Sequence, residues 1–239
     1  MLPFGHLHEN QLLASLPEKE LQLLLPQLEL VDLPLGKVIH ESGMPREFAY
    51  FPTSAIVSLV FTTEGGASSE IALVGPEGAV GICIFMGGTS MPIRAEACSA
   101  GMGYQLRAAA VKAAFERSDR VKHLMLCYTQ ALLTQISHTA VCNRHHSVDQ
   151  LFCRWLLQSL DRQTGNELLM TQELIANMLG VRREGVTEAA LRLQASGIIH
   201  YARGHIWVLD RAGLEARACD CYRVVKREYD RLLPAVQAA

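Results

Sequence analysis

TQELIANMLGVRREGVTEAALRLQASGIIHYARGHIWVLD, residues 171–210, is the stretch whose pattern decides the fold. Thr171 can cap a helix by accepting a hydrogen bond from a free backbone N–H of the first turn, and Glu173 suits that turn's positive dipole end. Leu174, Ile175, Met178 and Leu179 recur at helical spacing and give this first helix one apolar face. Gly180 suits the left-handed turn that ends one helix and leads into the next. Small Ala176 lets a second helix cross closely. That second helix is predicted over 182–196, with Val186, Ala190 and Leu193 on its inner face. At about 100° per residue, Glu184, Thr187, Glu188 and Leu191 fall on the opposite face, with Arg183 at its edge. Ala176, Gly180 and Val186 stand at the offsets of a helix-turn-helix. Gly197 ends the second helix, and apolar clusters at 198–201 and 205–209 around Ala202-Arg203-Gly204 predict a β-hairpin wing. A helix pair followed at once by a hairpin is the pattern of a winged helix that reads double-stranded DNA.

Outward from that stretch the texture changes twice. Residues 9–26 read as two short helical turns around Pro17, packed by leucines. From Leu28 to about residue 108, short apolar runs alternate with turn signals, among them Pro34-Leu35-Gly36, Gly65-Gly66 and Gly87-Gly88. That spacing predicts an antiparallel jelly roll of about eight strands, with AVGICIFMGG (79–88) as one of them. A short helix follows over 108–115, then a long one capped by Ser118 or Asp119. Between 121 and 143 its only formally charged side chain is Lys122. A helix apolar on nearly every face must be covered all round. The β-domain can cover one side, and a second copy of the helix is the natural cover for the other; the alternative is a helix wholly enclosed by its own chain. The interface of such a homodimer is expected at Leu124, Met125, Tyr128, Leu132, Gln135, Ile136 and Thr139. A further helix is predicted over 146–162, packing onto the helix-turn-helix through Val148, Leu151, Phe152, Trp155, Leu156 and Leu160. A single last helix is predicted from Asp210 to about Leu233. The fold class is thus α+β. Its expected units are a β-roll sensor (1–115), a central dimerisation helix (116–144) and a winged helix-turn-helix domain (145–239).

Composition bounds the rest. The chain has 239 residues, 49% of them apolar, which is ample for ordinary cores. No basic leader followed by an apolar run opens it, and no run approaches the ~18 apolar residues of a membrane span. A cytoplasmic protein with no membrane partner is expected. The net charge of −2 conceals an asymmetry. Residues 1–142 carry 9 Lys and Arg against 13 Asp and Glu, whereas residues 143–239 carry 13 against 11. The C-terminal part therefore has the sign suited to phosphate. Seven cysteines are scattered through apolar context and read as reduced buried thiols. Cys219-Asp220-Cys221 lacks the paired CxxC spacing of a zinc site. Cys142 with His145 and His146 is a partial ligand set that nothing nearby in the sequence completes, so no metal is expected. A cupin-type enzyme needs histidines converging on a metal, and residues 41–110 contain none.

An acidic jelly roll, a long apolar helix and a winged helix-turn-helix, in that order, resemble the Crp/Fnr family of bacterial transcription regulators. The resemblance spans nearly the whole chain. It is carried by GPEGAVGI (75–82), HHSVDQLFCRWLLQ (145–158) and TQELIANMLGVRREGVTEAALRLQASGII (171–199). It implies a non-enzymatic homodimer that binds a pseudo-palindromic operator and contacts RNA polymerase, with the β-roll as sensor. Carried over by position, the DNA-binding residues would be Thr171, Gln172, Arg182, Arg183, Glu184, Thr187, Glu188, Arg203 and His205. Glu184 matches the middle glutamate of the family's reading pattern, whereas Glu188 stands where relatives often have arginine. The effector pocket would involve Gly78, Gly81, Ile82, Met91, Pro92, Arg94, Ile136 and Ser137. Cyclic-nucleotide-binding relatives use Gly-Glu and, about ten residues on, Arg-Ser. Here those pairs read Gly81-Ile82 and Met91-Pro92, so the usual cyclic AMP site is degenerate. The clustered N-terminal cysteines of the iron–sulfur oxygen sensors are absent before Cys83. No cofactor is predicted, and the small-molecule effector is unknown. A ligand-dependent regulator, or a haem or redox sensor using His6, His8, His40 or a β-roll cysteine, is the alternative left open.

Overall fold

A computed structural model describes residues 7–233. Two short helices, α1 (Gln11–Ala14) and α2 (Glu18–Leu24), lead into the β-roll. Its strands are β1 (Glu29–Leu33), β2 (Val38–His40), β3 (Phe48–Pro52), β4 (Ile56–Thr62), β5 (Ser68–Val74), β6 (Arg94–Ser99) and β7 (Gly101–Arg107). They form two antiparallel sheets in the orders β1-β7-β3 and β2-β6-β4-β5. The expected strand at 79–88 does not form. Val80 makes an isolated bridge to Tyr50, and Ile82–Ile84 wind into a 3-10 turn entered through Gly81 in the left-handed region. This turn buries Ile82, Cys83 and Ile84 together, which alternating strand geometry could not do.

Helix α3 (Ala108–Arg117) hands over to the central helix α4 (Asp119–His145), whose first turn is capped by Ser118 accepting from the Val121 N–H. Ser147 and Gln150 then make a capping box for α5 (Val148–Leu160). The winged head follows as β8 (Glu167–Leu169), α6 (Gln172–Leu179), α7 (Arg183–Ala195), β9 (Ile199–Ala202) and β10 (His205–Val208). Strand β8, unforeseen between polar residues, pairs with β10 and makes the wing a three-stranded sheet in the order β8-β10-β9. The predicted single last helix is two: α8 (Arg211–Arg217) and α9 (Asp220–Leu232). Ala218 and Cys219 adopt extended backbone between them, so α8 lies on α5 while α9 turns back along α4.

Two hydrophobic clusters hold the chain together, and both cross the expected unit boundaries. One joins the β-roll and α4 to Val225, Tyr229 and Leu233 at the C-terminal end. The other joins the winged head and α5 to Ile56, Leu73 and Cys98 of the β-roll. The head is thus seated on the β-roll. Polar groups are buried along the same junction. Arg162 Nε donates to Glu77 Oε1 at 2.7 Å, its Nη1 to the Gln158 carbonyl at 2.8 Å and its Nη2 to Gln135 Oε1 at 3.0 Å. Tyr229 closes the network by donating to Gln135 Oε1 at 3.1 Å. Gly75 makes room for it, since a Cβ there would stand 2.8 Å from the Arg162 side chain.

Glu70 of β5 is also buried, accepting from the Ser58 hydroxyl at 2.6 Å. Burial raises its carboxyl to about 7, opposed by that hydrogen bond and by Arg154 and Arg162. A raised carboxyl binds its proton more tightly in the folded state, so stability falls as pH rises from the ordinary carboxylate range through about 7. Glu70→Gln keeps an acceptor for Ser58 and removes the titration. In urea unfolding between pH 5 and 8, the wild type should lose on the order of 2–3 kcal/mol relative to this variant; a pH-independent difference would contradict the assignment.

Candidate nucleic-acid interface and sensor pocket

The outward face of α7, the candidate reading face, is set by the angle between α6 and α7. Thr171 caps α6, its Oγ1 accepting from the Leu174 N–H at 3.2 Å. Gly180, at φ 65°, ends the helix in the left-handed region, and the second helix starts three residues on. Val186, Ala190 and Leu193 of α7 are buried, as are Ile175, Ala176 and Leu179 of α6. That packing turns the other side of α7 to solvent: Arg182, Arg183, Glu184 and Glu188 are exposed and Leu191 is 59% exposed. Thr187 is half-buried and donates to Gln172 Oε1 at 2.8 Å, which ties the start of α6 to α7. Arg183 Nε lies 3.9 Å from Glu173, a loose pair that leaves the guanidinium 64% exposed. Arg192, one turn beyond Glu188, is held bidentately by Asp149 of α5. Arg203 sits at the exposed tip of the wing. His205 is less free, because its Nδ1 is bonded to Glu167 at 2.6 Å and its ring stacks on Trp207.

The expected effector residues do not all converge. Gly81, Ile82, Met91 and Ile136 line one cavity of the β-roll, together with His40, Arg46 and Cys83. Gly78 instead lies against the Tyr128 ring, and Pro92 and Ser137 are exposed. Arg94 points outward to Glu96 at 3.2 Å and Glu41 at 3.9 Å. Strand parity is the reason: on β6, Ala95 and Ala97 face the interior, which leaves Arg94 and Glu96 on the other side. The cation inside is Arg46, for which the sequence offered no motif. Its guanidinium donates to the carbonyls of Glu41 at 2.7 Å, Ile93 at 2.6 Å and Met91 at 3.3 Å. Beside it, burial and the Arg46 charge hold His40 neutral, lowered to about 4. The remaining cavity is about 30 Å³, room for roughly one water, whereas small-molecule sites span roughly 300–1,000 Å³.

The expected dimer face also needs correcting. Leu124, Met125, Tyr128, Leu132, Gln135 and Thr139 are buried within one chain, and Ile136 is half-buried against the β-roll. Tyr128 donates to the Ala79 carbonyl and Gln135 to that of Leu73, so these two face the β-roll, while Thr139 accepts from Arg154 of α5. What α4 leaves open is Leu126 (49% exposed), Leu133 (51%) and Val141 (48%), with Gln130, Ser137 and Ala140 between them. Leu126, Leu133 and Ala140 recur every seven residues, the spacing of a coiled-coil seam. Besides the β-roll, the chain's own α9 packs along α4, so part of the second cover comes from within the chain. Of the histidines named for haem, His6 lies outside the described residues, His8 is exposed, and His40 lines the small cavity.

Residues 152–217 match the model of a Crp-like helix-turn-helix domain. No curated protein matches the chain. Among solved structures, a protein of Eubacterium rectale described as a transcriptional regulator of the Crp/Fnr family is 21% identical. The match covers 87% of this chain and 98% of that one, with a TM-score of 0.68. FixK2 of Bradyrhizobium japonicum is 18% identical over 80% of this chain and 98% of its own, with a TM-score of 0.69. CLP of Xanthomonas campestris, a c-di-GMP responsive global regulator, is 15% identical over 81% and 100%, with a TM-score of 0.65. Among the described residues no helix is long and apolar enough to cross a membrane.

Replacing Arg46 tests what closes the cavity. Arg46→Met leaves three carbonyls without their donor and should cost about 2–3 kcal/mol in urea unfolding; an unchanged midpoint would mean the guanidinium does not hold the pocket shut. With its winged head matched by family and its β-roll and central helix by fold, the chain carries a Crp-like helix-turn-helix domain inside the fold of the Crp/Fnr transcription regulators.

Proposed function

We propose that this chain acts as a homodimeric, sequence-specific transcription regulator that reads a pseudo-palindromic operator with α7. The observation that carries the reading is the outward face of α7, where Arg182, Arg183, Glu184 and Glu188 stand exposed on a helix whose opposite side is fully buried. A guanidinium can read guanine O6 and N7, and a carboxylate can accept from a cytosine N4 amine. Arg183 and Glu184 take those roles. Thr171, Gln172 and Arg203 flank the groove as phosphate contacts, and Thr187 and Gln172 brace the helix pair. His205 contributes only after exchanging Glu167 for phosphate. Glu188 replaces a cation with an anion on the face, so the operator differs from those read by an arginine at that position.

Dimerisation uses the open stripe of α4 at Leu126, Leu133, Ala140 and Val141, in place of the seven residues expected from sequence. Two copies paired there carry two heads, which need half-sites about one helical turn apart, roughly 34 Å. The β-roll acts as a degenerate sensor: Arg46 and its three carbonyls occupy the place where a ligand would bind, and the ~30 Å³ cavity supports a mode of control that does not use a cyclic nucleotide there. Control is allosteric, through the seat of the head on the roll. Contact with RNA polymerase and a cytoplasmic location follow from the resemblance to the family. The division into sensor (1–115), central helix (116–144) and DNA-binding head (145–239) is retained as a division of labour.

Two substitutions test this. Arg183→Ala should weaken binding to a selected operator by about 1–3 kcal/mol, relax the base preference at one position of each half-site and leave the fold unchanged; an unaltered specific affinity would argue against this face. Leu133→Glu places a charge at the centre of the α4 stripe and should shift sedimentation from dimer to monomer. A dimer that persists in that variant would place the interface elsewhere.

A further inference from the structure

The break between α8 and α9 delivers two cysteines to the end of the central helix. Cys142 and His146 lie one turn apart there, with the His146 N–H bonded to the Cys142 carbonyl at 3.0 Å. Cys219 occupies the N-cap of α9, and Cys221 follows in its first turn. The three sulfurs and one His146 ring nitrogen all lie within 4.8 Å of one another, and the Cys142 and Cys219 sulfurs are 3.5 Å apart. Around zinc, with bonds of about 2.3 Å to sulfur and 2.0–2.1 Å to nitrogen, tetrahedral ligand atoms stand roughly 3.4–3.8 Å apart. The cluster needs only a small contraction to reach that geometry.

Its surroundings favour a cation coordinated by thiolates. Cys142, Cys219 and Cys221 are buried, which suits a closed, four-coordinate site rather than one open to water. His146 Nδ1 is buried with no hydrogen-bond partner, while Nε2 lies 3.9 Å from Asp220 Oδ1. A carboxylate behind the second nitrogen is the usual support of a metal-bound imidazole. The N-terminus of a 13-residue helix meets Cys219 and Cys221 with its positive dipole end. Arg154, 3% exposed, bonds only neutral oxygens of Thr139 and Gln158 and makes no ion pair among the described residues. Three thiolates and a neutral imidazole around a divalent ion carry one net negative charge, which a nearby guanidinium offsets. Three sulfurs and one nitrogen are a donor set for zinc rather than for calcium or magnesium.

We propose that Cys142, His146, Cys219 and Cys221 bind one zinc ion per chain, closing a site that ties the end of the central helix to the last helix of the DNA-binding head. Binding releases the thiol protons and fixes α9 against α4 on the far side of the Ser147 break. The sequence hid the site because its halves are 77 positions apart and Cys-x-Cys alone has no zinc-ligand spacing.

The test is metal titration of the full chain, stripped of metal and kept under anaerobic reducing conditions. Cobalt(II) should bind one ion per chain with the intense absorption of a tetrahedral cobalt–thiolate centre, zinc should displace it, and the thermal midpoint should rise on loading. Cys219→Ser should lose that spectrum, whereas Cys83→Ser, at a buried thiol of the β-roll, should keep it. His146→Ala, at a side chain that is partly exposed where the three cysteines are buried, provides a variant less dependent on core packing. It should retain thiolate absorption with altered ligand-field bands and at least tenfold weaker affinity. A wild-type chain that shows no saturable cobalt–thiolate absorption would overturn the proposal, as would a folded His146→Ala with unchanged spectrum and affinity.

Discussion

Arg162 is a cation 7% exposed, and the arrangement of the molecule depends on how it is satisfied. Its guanidinium is shared among Glu77 on the loop after β5, Gln135 on α4 and the last turn of α5, with the Tyr229 ring of α9 5.8 Å away. Four parts of the chain must be in place together for that charge to be paired. A buried ion pair adds little net stability over an apolar substitute, but losing one partner leaves an uncompensated charge and costs roughly 3–5 kcal/mol. Arg162 therefore penalises any placement of the head in which Glu77 and Gln135 are not beside it.

The same junction is where control would act under the proposed reading. In the β-roll, the small interior cavity is bounded by Arg46 and the carbonyls it binds. At the junction, by contrast, titratable and polar groups accumulate: Glu70 against Ser58, Arg154 against Thr139 and Gln158, Arg162 against Glu77. The first helix of the reading pair also rests on the roll, Gly180 lying against Ser69 of β5. Helix α6 thus contacts both β5 and α7, which makes it the physical link between the roll and α7 under the proposed reading. Low-dielectric polar contacts of this kind have few alternative arrangements, which makes them suited to two-state behaviour.

Local features were legible in the sequence because local forces decide them. The Thr171 cap, the Gly180 turn and the inward Val186, Ala190 and Leu193 follow from capping chemistry, backbone sterics and helical period, and they stand as read. What failed was decided by tertiary packing. The segment at 79–88 has a strand-like composition, yet the turn through Gly81 buries three consecutive side chains where a strand would bury alternate ones. Arg94 is near the pocket in sequence and outside it in space, because one residue of strand register reverses its side. Helix α4 carries apolar residues on nearly every face, so composition does not say which of them the chain's own core takes; Leu124, Met125, Tyr128 and Leu132 go into that core and Leu126 and Leu133 do not. The last helix was read as one because nothing in ACDC breaks helical composition; it is the packing of α8 on α5 and α9 on α4 that divides it.

The most direct measurement is selection from a randomised duplex library by the purified, ligand-free chain, with sequencing of the retained DNA. A dimer seated through α4, with its pocket closed by its own side chains, should recover a palindrome whose half-sites are about one helical turn apart. Recovery of single, unpaired half-sites, or of no enriched sequence even at low salt, would contradict a dimeric head that is competent to read DNA without an effector.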